Sequence, residues 1–229
     1  MDNLISRNIT SCIRCGTCCR KGGPVLHHED EKILRHHHAE YRHLITIRKG
    51  ELTYNPLSDR VEQACHEMVK VAGKGDTWSC CFYREEDSLC MIYEHRFLEC
   101  RLLKCWEPAD VMSVIGKHVI RRSDIINQDD PVLSIIETHE KECSLSEVQQ
   151  LIDEASFGKD STKARRRLSE LIQKDIALRS YALLDLELKP EYELFIFGRP
   201  LMRIVKDSGF VVKTAGSDAA EIKKTRHDR

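Results

Sequence analysis

Cysteines are the residues of this chain whose spacing suggests chemistry, and the densest group lies near the start. Cys12, Cys15, Cys18 and Cys19 are separated by two-residue gaps and end in an adjacent pair. Two-residue gaps let a tight turn direct successive thiolates toward one centre, as in zinc and iron-sulfur sites. Because adjacent residues point their side chains in different directions, one of Cys18 and Cys19 could serve a second site.

A second group of four follows farther along the chain: Cys81, Cys90, Cys100 and Cys105. The segment between the groups contains two predicted β-hairpins, which could fold the second group back onto the first. Eight thiolates are enough for two four-ligand sites. We therefore predict that sulfur atoms from both groups converge on a shared metal centre, with metal-free redox thiols as the competing interpretation.

The two groups together resemble a known family. The pattern C-x2-C-x2-C-C, followed by C-F-Y, by C-x-I-Y-E-x-R and by C-R with a later Cys, is similar to that of the CxxCxxCC cysteine-cluster family, also called YkgJ-like or zinc- or iron-chelating domain proteins. Phe97 stands where that family has proline, which leaves the local turn less rigid. The resemblance covers about the first half of the chain and implies a metal centre, while leaving the reaction undefined. It rests on Cys12, Cys15, Gly16, Cys18, Cys19, Cys81, Cys90, Ile92, Tyr93, Glu94, Arg96, Cys100, Arg101 and Cys105.

Three side chains among these cysteines are candidate cofactor-binding residues. The guanidinium groups of Arg96 and Arg101 could offset the negative charge of a tetrathiolate site or bind an anionic substrate. Tyr93 could donate a hydrogen bond to a thiolate sulfur, although a core tyrosine with a satisfied hydroxyl is an equal interpretation.

The other cysteines and the histidines have simpler interpretations. Cys65, Cys80 and Cys143 lack a close partner spacing and are predicted to be small buried apolar residues, with Cys80 kept as a substitute for a missing ligand. The five histidines between residues 27 and 38 could ligate zinc, iron or nickel. A solvated helix face is the favoured interpretation of that group.

Composition narrows the classes of function. Lys and Arg number 36 against 37 Asp and Glu, a net charge of -1, so no overall field attracts nucleic acid or an anionic membrane. The first residues lack the pattern of a secretory signal, and no window approaches 18 apolar residues. We therefore predict a cytoplasmic protein, in which eleven cysteines indicate metal or redox chemistry rather than disulfides.

Periodicity predicts an α+β fold, in which a small cysteine-rich metal-binding domain of short β-hairpins and helices precedes a mainly α-helical C-terminal region. A helix is predicted over 29–41, with hairpins around Gly50 and around residues 73–76. Later helices are predicted within 144–157 and 163–184. The predicted domains are 1–108 for metal binding, 109–213 for the helical region packed on it, and 214–229 for a flexible tail.

Three functions are consistent with these residues. The favoured one is an iron-sulfur protein that transfers electrons or assists a redox partner, and a protein partner of undefined identity is expected. The second is a structural zinc module that organises an interaction surface. The third is an enzyme using the metal or a low-pKa thiolate, for which Cys19 and Arg20 are the candidates.

Overall fold

The computed structural model describes residues 11–75, 77–158, 161–213 and 221–224. These residues form two compact units, one within 1–43 and 70–120 and the other within 44–69 and 121–229. The domain boundary that the sequence predicts, at residue 108, stays a prediction; in the structure residues 44–69 belong to the same compact unit as residues 121–229.

Short helices and paired strands make up both units. The α-helices in chain order are α1 Thr17–Lys21, α2 Glu31–Arg35, α3 Leu98–Leu102, α4 Ala109–Met112, α5 Arg122–Ile125, α6 Val132–Glu142, α7 Leu145–Phe157, α8 Ser161–Leu184, α9 Glu193–Phe197 and α10 Leu201–Asp207. The strands are β1 Leu44–Ile47, β2 Leu52–Asn55, β3 Arg60–Gln63, β4 Met68–Val71, β5 Tyr83–Arg84, β6 Leu89–Cys90, β7 Phe210–Lys213 and β8 Glu221–Lys224. The α+β prediction is confirmed, including the helical C-terminal region.

Helix α2 is shorter than the helix predicted over 29–41. It ends at Arg35 because His37 takes the left-handed conformation, with φ 57°. The amide of His37 then donates to the Leu34 carbonyl, and the amide of His38 donates to the Ile33 carbonyl, each at 3.0 Å. This is a Schellman arrangement, which satisfies the last carbonyls of the helix and turns the chain away.

The predicted turn at Gly50 exists, but the two strands beside it do not form a hairpin with each other. Strand β2 pairs antiparallel with β3, with Leu52 opposite Gln63. Strand β1 pairs with β4, whose first residues, Met68 and Val69, belong to the same unit. All four β1 residues are buried, whereas β3 is exposed throughout. Burial of β1 therefore separates it from the exposed β2–β3 hairpin.

The second unit contains an apolar core built mainly by α7, α8, α10 and the β7–β8 pair. Cys143 is fully buried in it, as the sequence predicted for this residue. Ile222 of β8 is also buried there, which gives residues 221–224 a reason to form a strand although the sequence predicts a flexible tail. Residues 214–220 and 225–229 of that predicted tail lie outside the described residues. The core comprises Cys143, Leu145, Val148, Ile152, Ala155, Ala164, Leu168, Leu171, Ile172, Leu201, Val205, Phe210, Val212 and Ile222.

None of the helices in the described part of the chain is long and apolar enough to cross a lipid bilayer.

A buried carboxylate joins three elements of the second unit. Asp175 on α8 is bonded to His139 Nε2 at 2.6 Å, to Arg179 Nε at 2.9 Å and to the Leu201 amide at 2.9 Å. Burial alone would raise the pKa of Asp175, but the hydrogen bond with His139 and the charge of Arg179 hold it below its usual value. The carboxylate therefore stays ionised and fastens α6 and the start of α10 to α8.

Replacing this carboxylate should destabilise the second unit. Asp175→Asn keeps the shape but removes the charge, so the buried guanidinium of Arg179 keeps only its ion pair with Glu193 of the two described. We expect the free energy of unfolding in urea to fall by about 3–5 kcal/mol. Asp185→Asn, at an exposed position just after the same helix, should change it by less than about 0.5 kcal/mol. Equal losses for the two variants would contradict this structural role of Asp175.

Candidate metal centre

The first cysteine group lies on a tight loop and the short helix α1. Gly16 has φ 73°, and its carbonyl accepts the Arg20 amide at 2.9 Å, which begins the helix. A Cβ atom built at Gly16 would overlap the hydroxyl of Tyr83 on β5. Arg20 donates to the Tyr83 hydroxyl and to the Cys15 carbonyl, both at 3.1 Å. The loop is therefore held against β5, and the guanidinium of Arg20 has a structural role.

The second cysteine group is joined to the first through the main chain. The Cys80 amide donates to the Cys19 carbonyl at 2.8 Å. Cys80 also forms a β-bridge with Gly73, which closes the turn predicted around residues 73–76. Cys81 follows, with its amide bonded to the Ala72 carbonyl at 3.0 Å. Two adjacent cysteine pairs from distant parts of the sequence therefore meet at one point.

Cys90 and Cys100 are positioned by the next hairpin and helix. Tyr83 on β5 lies opposite Cys90 on β6, and Cys100 lies within α3. Asp30 fixes the start of this helix, because its carboxylate accepts the Leu98 amide at 2.8 Å. The hairpin therefore links Cys90 to the strand that holds the Gly16 loop.

Electrostatic interactions connect the thiols of the two groups. The charges of Cys12 and Cys80 raise the pKa of Cys90, and those of Cys18, Cys80 and Cys90 raise the pKa of Cys100. Cys19 interacts with Cys18, Cys80 and Cys100, while Cys15 interacts with Cys18. We refer to Cys12, Cys15, Cys18, Cys19, Cys80, Cys81, Cys90 and Cys100 as the thiol cluster.

Each adjacent pair in the thiol cluster contains one acidic thiol. The Cys18 and Cys19 sulfurs lie 4.0 Å apart, and their hydrogen bond lowers the pKa of Cys18 to about 6 while raising that of Cys19. The hydrogen bond with Cys81 lowers the pKa of Cys80 to about 7, with a further contribution from the Lys70 charge. The pKa of Cys81 is raised by the same bond and by burial. Each pair therefore resembles a thiolate that is bonded by a neighbouring thiol.

Cys90 and Cys100 have raised pKa values, chiefly because they are removed from water. Because their pKa values are raised, these two thiols stay protonated when no metal ion is bound. A metal ion stabilises thiolates and displaces the protons of its ligands. Metal binding by this cluster should therefore release protons and depend on pH.

Lys70 places a cation beside the thiol cluster. Its Nζ donates to the Gly23 carbonyl, and its charge interacts with Glu99, Cys80 and Cys100. Removal from water lowers the pKa of Lys70. An amine in this position can offset part of the negative charge that several thiolates would bring.

The three predicted cofactor-binding residues lie in different surroundings. Tyr93 contacts two guanidinium groups, with Arg14 at 4.4 Å and Arg96 at 3.9 Å from its ring centroid. The Arg96 charge also acts on Cys90 and opposes the rise in its pKa. Arg101 forms an ion pair with Glu29 and donates to the Arg96 carbonyl at 3.4 Å. Arg96 thus lies close enough to affect a thiol, while Arg101 is engaged by a surface carboxylate.

Two further cysteines are exposed. Cys105 lies beyond α3 next to Trp106, which is itself exposed. Cys65 is exposed in the second unit, with its sulfur 3.0 Å from His66 Nδ1. Seven of the eight predicted ligands thus belong to the thiol cluster, which also contains Cys80, whereas Cys105 does not. That these cysteines bind a metal stays a prediction.

The histidines predicted to form a solvated helix face have varied surroundings. His27 is buried and bonds Glu99 and the Lys117 carbonyl. His38 stacks on His95 at a centroid distance of 3.5 Å.

Across the described ranges, no three His, Cys, Asp or Glu side chains already converge as a finished metal site.

The donor chemistry of the thiol cluster fits zinc or iron. Soft thiolates select zinc and iron-sulfur centres over calcium or magnesium. Two sulfurs on one tetrahedral zinc, each bonded at about 2.3 Å, lie about 3.8 Å apart. The 4.0 Å separation of the Cys18 and Cys19 sulfurs is close to that value. It is also far too long for a disulfide, and all eleven cysteines are free.

Comparison with protein-family models gives one finding of substance. Residues 11–143, more than half of the chain, match the CxxCxxCC model, described as "Putative zinc- or iron-chelating domain". Searches of curated proteins and of solved structures return no match to the chain.

Gly16 should be required for the shape of the first cysteine loop. In Gly16→Ala a side chain would adopt an unfavourable positive φ and overlap Tyr83, so we expect lower stability and a reduced metal content per chain. Gly116 has φ 72° with open space around it, which makes Gly116→Ala a matched control. That variant should lose about 1–2 kcal/mol from backbone strain alone and keep its metal. Urea unfolding and metal analysis would test this, and equal behaviour of the two variants would contradict it.

Lys70 should affect the metal centre through its charge. We expect Lys70→Met to weaken metal affinity by about 10–100-fold, the usual range for groups around metal ligands. If the metal is redox-active, loss of a positive charge should also lower its reduction potential. Lys32→Met, at an exposed position in the same unit, is the control. Chelator competition and a redox titration would measure both effects, and values equal to the control would show that Lys70 has no such role.

Proposed function

Because the chain belongs to the CxxCxxCC family, we propose that its thiol cluster holds an iron-sulfur cluster that exchanges electrons with a protein partner. The observation that carries the proposal is that two distant cysteine groups lie in one compact unit, where the Cys80 amide is bonded to the Cys19 carbonyl. Such a group, when bound, supplies one-electron transfer at a potential set by nearby charge, hydrogen bonds and burial.

The proposed ligands come from the cysteines of the matched pattern. Seven of them belong to the thiol cluster, whereas Cys105 lies outside it; Cys15 and Cys105 are both exposed. More than four thiols lie together, which exceeds the need of a single tetrahedral zinc ion. This surplus leaves room for a second four-ligand centre, and iron-sulfur clusters use four cysteine thiolates each. The cysteines of the matched pattern are Cys12, Cys15, Cys18, Cys19, Cys81, Cys90, Cys100 and Cys105, and the ligands are proposed from those in the thiol cluster.

Other side chains would tune the centre. Lys70 and Arg96 bring positive charge to the thiolates. This charge favours the reduced form of a bound iron-sulfur cluster, which is the more negative one. Tyr93 lies between the guanidinium groups of Arg14 and Arg96 and so helps to fix their position. These roles are electrostatic and require no contact with a substrate.

A protein partner is proposed from the surface next to the ligands. Ile13 and Met91 directly follow Cys12 and Cys90 in sequence, and their side chains are 67% and 58% exposed. Exposed apolar side chains beside a redox centre favour close approach of another protein. The net charge of -1 does not favour nucleic acid or an anionic membrane as the partner. We also propose a cytoplasmic location, where free thiols are maintained.

A structural zinc site is the alternative function. It is favoured by the Cys18–Cys19 sulfur separation, which suits two ligands of one tetrahedral ion. A closed site of four cysteines would leave no open coordination position and would stabilise the first unit without redox chemistry.

Anaerobic purification distinguishes the two functions. An iron-sulfur centre predicts a brown protein containing iron and acid-labile sulfide, whereas a structural zinc site predicts a colourless protein with stoichiometric zinc. The double variant Cys90→Ser, Cys100→Ser should lose the metal in either case. Cys65→Ser, which changes an exposed cysteine of the second unit, should retain it. A wild-type protein that holds neither metal after anaerobic reconstitution would refute both assignments.

A further inference from the structure

Cys80 lies outside the cysteine pattern that relates this chain to its family, yet it lies within the thiol cluster. We propose that Cys80 is a ligand of the same zinc or iron centre, together with Cys90 and Cys100, in the place that the pattern gives to Cys105. This inference rests on the proposed metal-binding function and specifies its ligand set.

The position of Cys80 is fixed by the main chain on both sides. Its amide is bonded to the Cys19 carbonyl at 2.8 Å, and its bridge to Gly73 is continued by the Lys74 amide, which donates to the Ser79 carbonyl at 2.8 Å. Cys80, which directly precedes the second group, therefore has a main-chain hydrogen bond to the first group. A ligand on such a rigid element needs only a side-chain rotation to meet a metal ion.

Cys80 and Cys81 form a second adjacent cysteine pair, similar to the pair formed by Cys18 and Cys19. Both are adjacent cysteine pairs in which one thiol lowers the pKa of the other, and the two pairs meet where the Cys80 amide donates to the Cys19 carbonyl. The Cys80 sulfur interacts with Cys19, Cys90 and Cys100. A residue that served packing alone would not need to lie among three other thiols.

Two neighbouring groups fit a negatively charged sulfur at Cys80. The ammonium of Lys70 interacts with it, and a cation held away from water is stabilised by a nearby anion. The hydroxyl of Ser79 is buried and has no hydrogen-bond partner among the described residues. Buried hydroxyl groups are normally satisfied, and a metal-bound thiolate accepts hydrogen bonds. Cys105 is instead exposed and follows Lys104, whose ammonium is paired with Asp110.

Alanine variants test this ligand set against a matched control. Cys80→Ala should weaken metal affinity by at least about 100-fold, as expected when one of four ligands that share the binding energy is removed. Cys143→Ala makes the same change at another buried cysteine, in the core of the second unit, and should leave metal affinity unchanged. Cys105→Ala should change it by less than about 3-fold. Affinity is measured by chelator competition after anaerobic loading with zinc or iron.

A measurement on the wild-type chain avoids any loss of folding in the variant. Cadmium prefers thiolates, and correlation spectra between bound cadmium-113 and protein hydrogens identify each cysteine whose β-hydrogens couple to the metal. Correlations from Cys80 and none from Cys105 are expected. Absence of a Cys80 correlation, or an unchanged affinity in a folded Cys80→Ala variant, would overturn this inference while leaving metal binding intact. Failure of the wild-type chain to bind any of these metals would instead refute the proposed function itself.

Discussion

The thiol cluster depends on a register of main-chain pairing between residues 19–25 and 70–80. The pairing begins at the hydrogen bond between Cys80 and Cys19, and it continues through a bridge between Val25 and Lys70. Gly23 allows the two segments to approach, because a Cβ atom there would meet Val71 at 2.5 Å. Side chains alone could not bring the two cysteine groups together before a metal binds. This pairing therefore places the two cysteine groups beside each other in the folded chain.

The protonation of the thiols opposes this convergence. Several sulfurs in one partly buried place cannot all be ionised without cations, and burial raises the pKa values of Cys90 and Cys100 accordingly. The fold reduces this cost by sharing a proton within each adjacent pair and by placing Lys70 nearby. A bound metal would supply the larger share of the positive charge. Metal affinity, proton release and stability of the first unit are therefore one coupled equilibrium.

The sequence predicts the chemistry of the site better than it predicts which residues belong to the thiol cluster. Two-residue spacing in the first group and the family pattern point to metal, and the α+β fold follows from local periodicity. Cys80 reads as a packing residue when spacing is compared only within each group. The doublet formed with Cys81 repeats that of Cys18 and Cys19, and this repeat is the signal that identifies it. Lys70 has no such signal, since it reaches the thiols only through pairing of distant segments.

Errors in the predicted fold also arise where contacts between distant segments decide the structure. Strands β1 and β2 flank Gly50 and look like a hairpin locally, but the burial of β1 selects β4 as its partner. Residues 221–224 have little apolar surface of their own, and Ile222 becomes buried only because β7 and the second core are present. Local patterns fix which segments are extended or helical. The choice of partner is decided by burial that depends on the rest of the chain.

The two units differ in how much they can rely on apolar burial. Every described helix of the first unit has five residues or fewer, whereas α8 in the second unit has 24. Isolated helices of such short length are not stable in water, so they need tertiary partners. Helices of the second unit find such partners within that unit, in its apolar core and in the hydrogen bonds of Asp175. The first unit has buried side chains such as Phe82 and Phe97, and beside them lies the thiol cluster, in which Cys80 is buried. A metal ion there would act as the centre of the fold, in the way that small metal-binding domains use bound metal in place of a larger core.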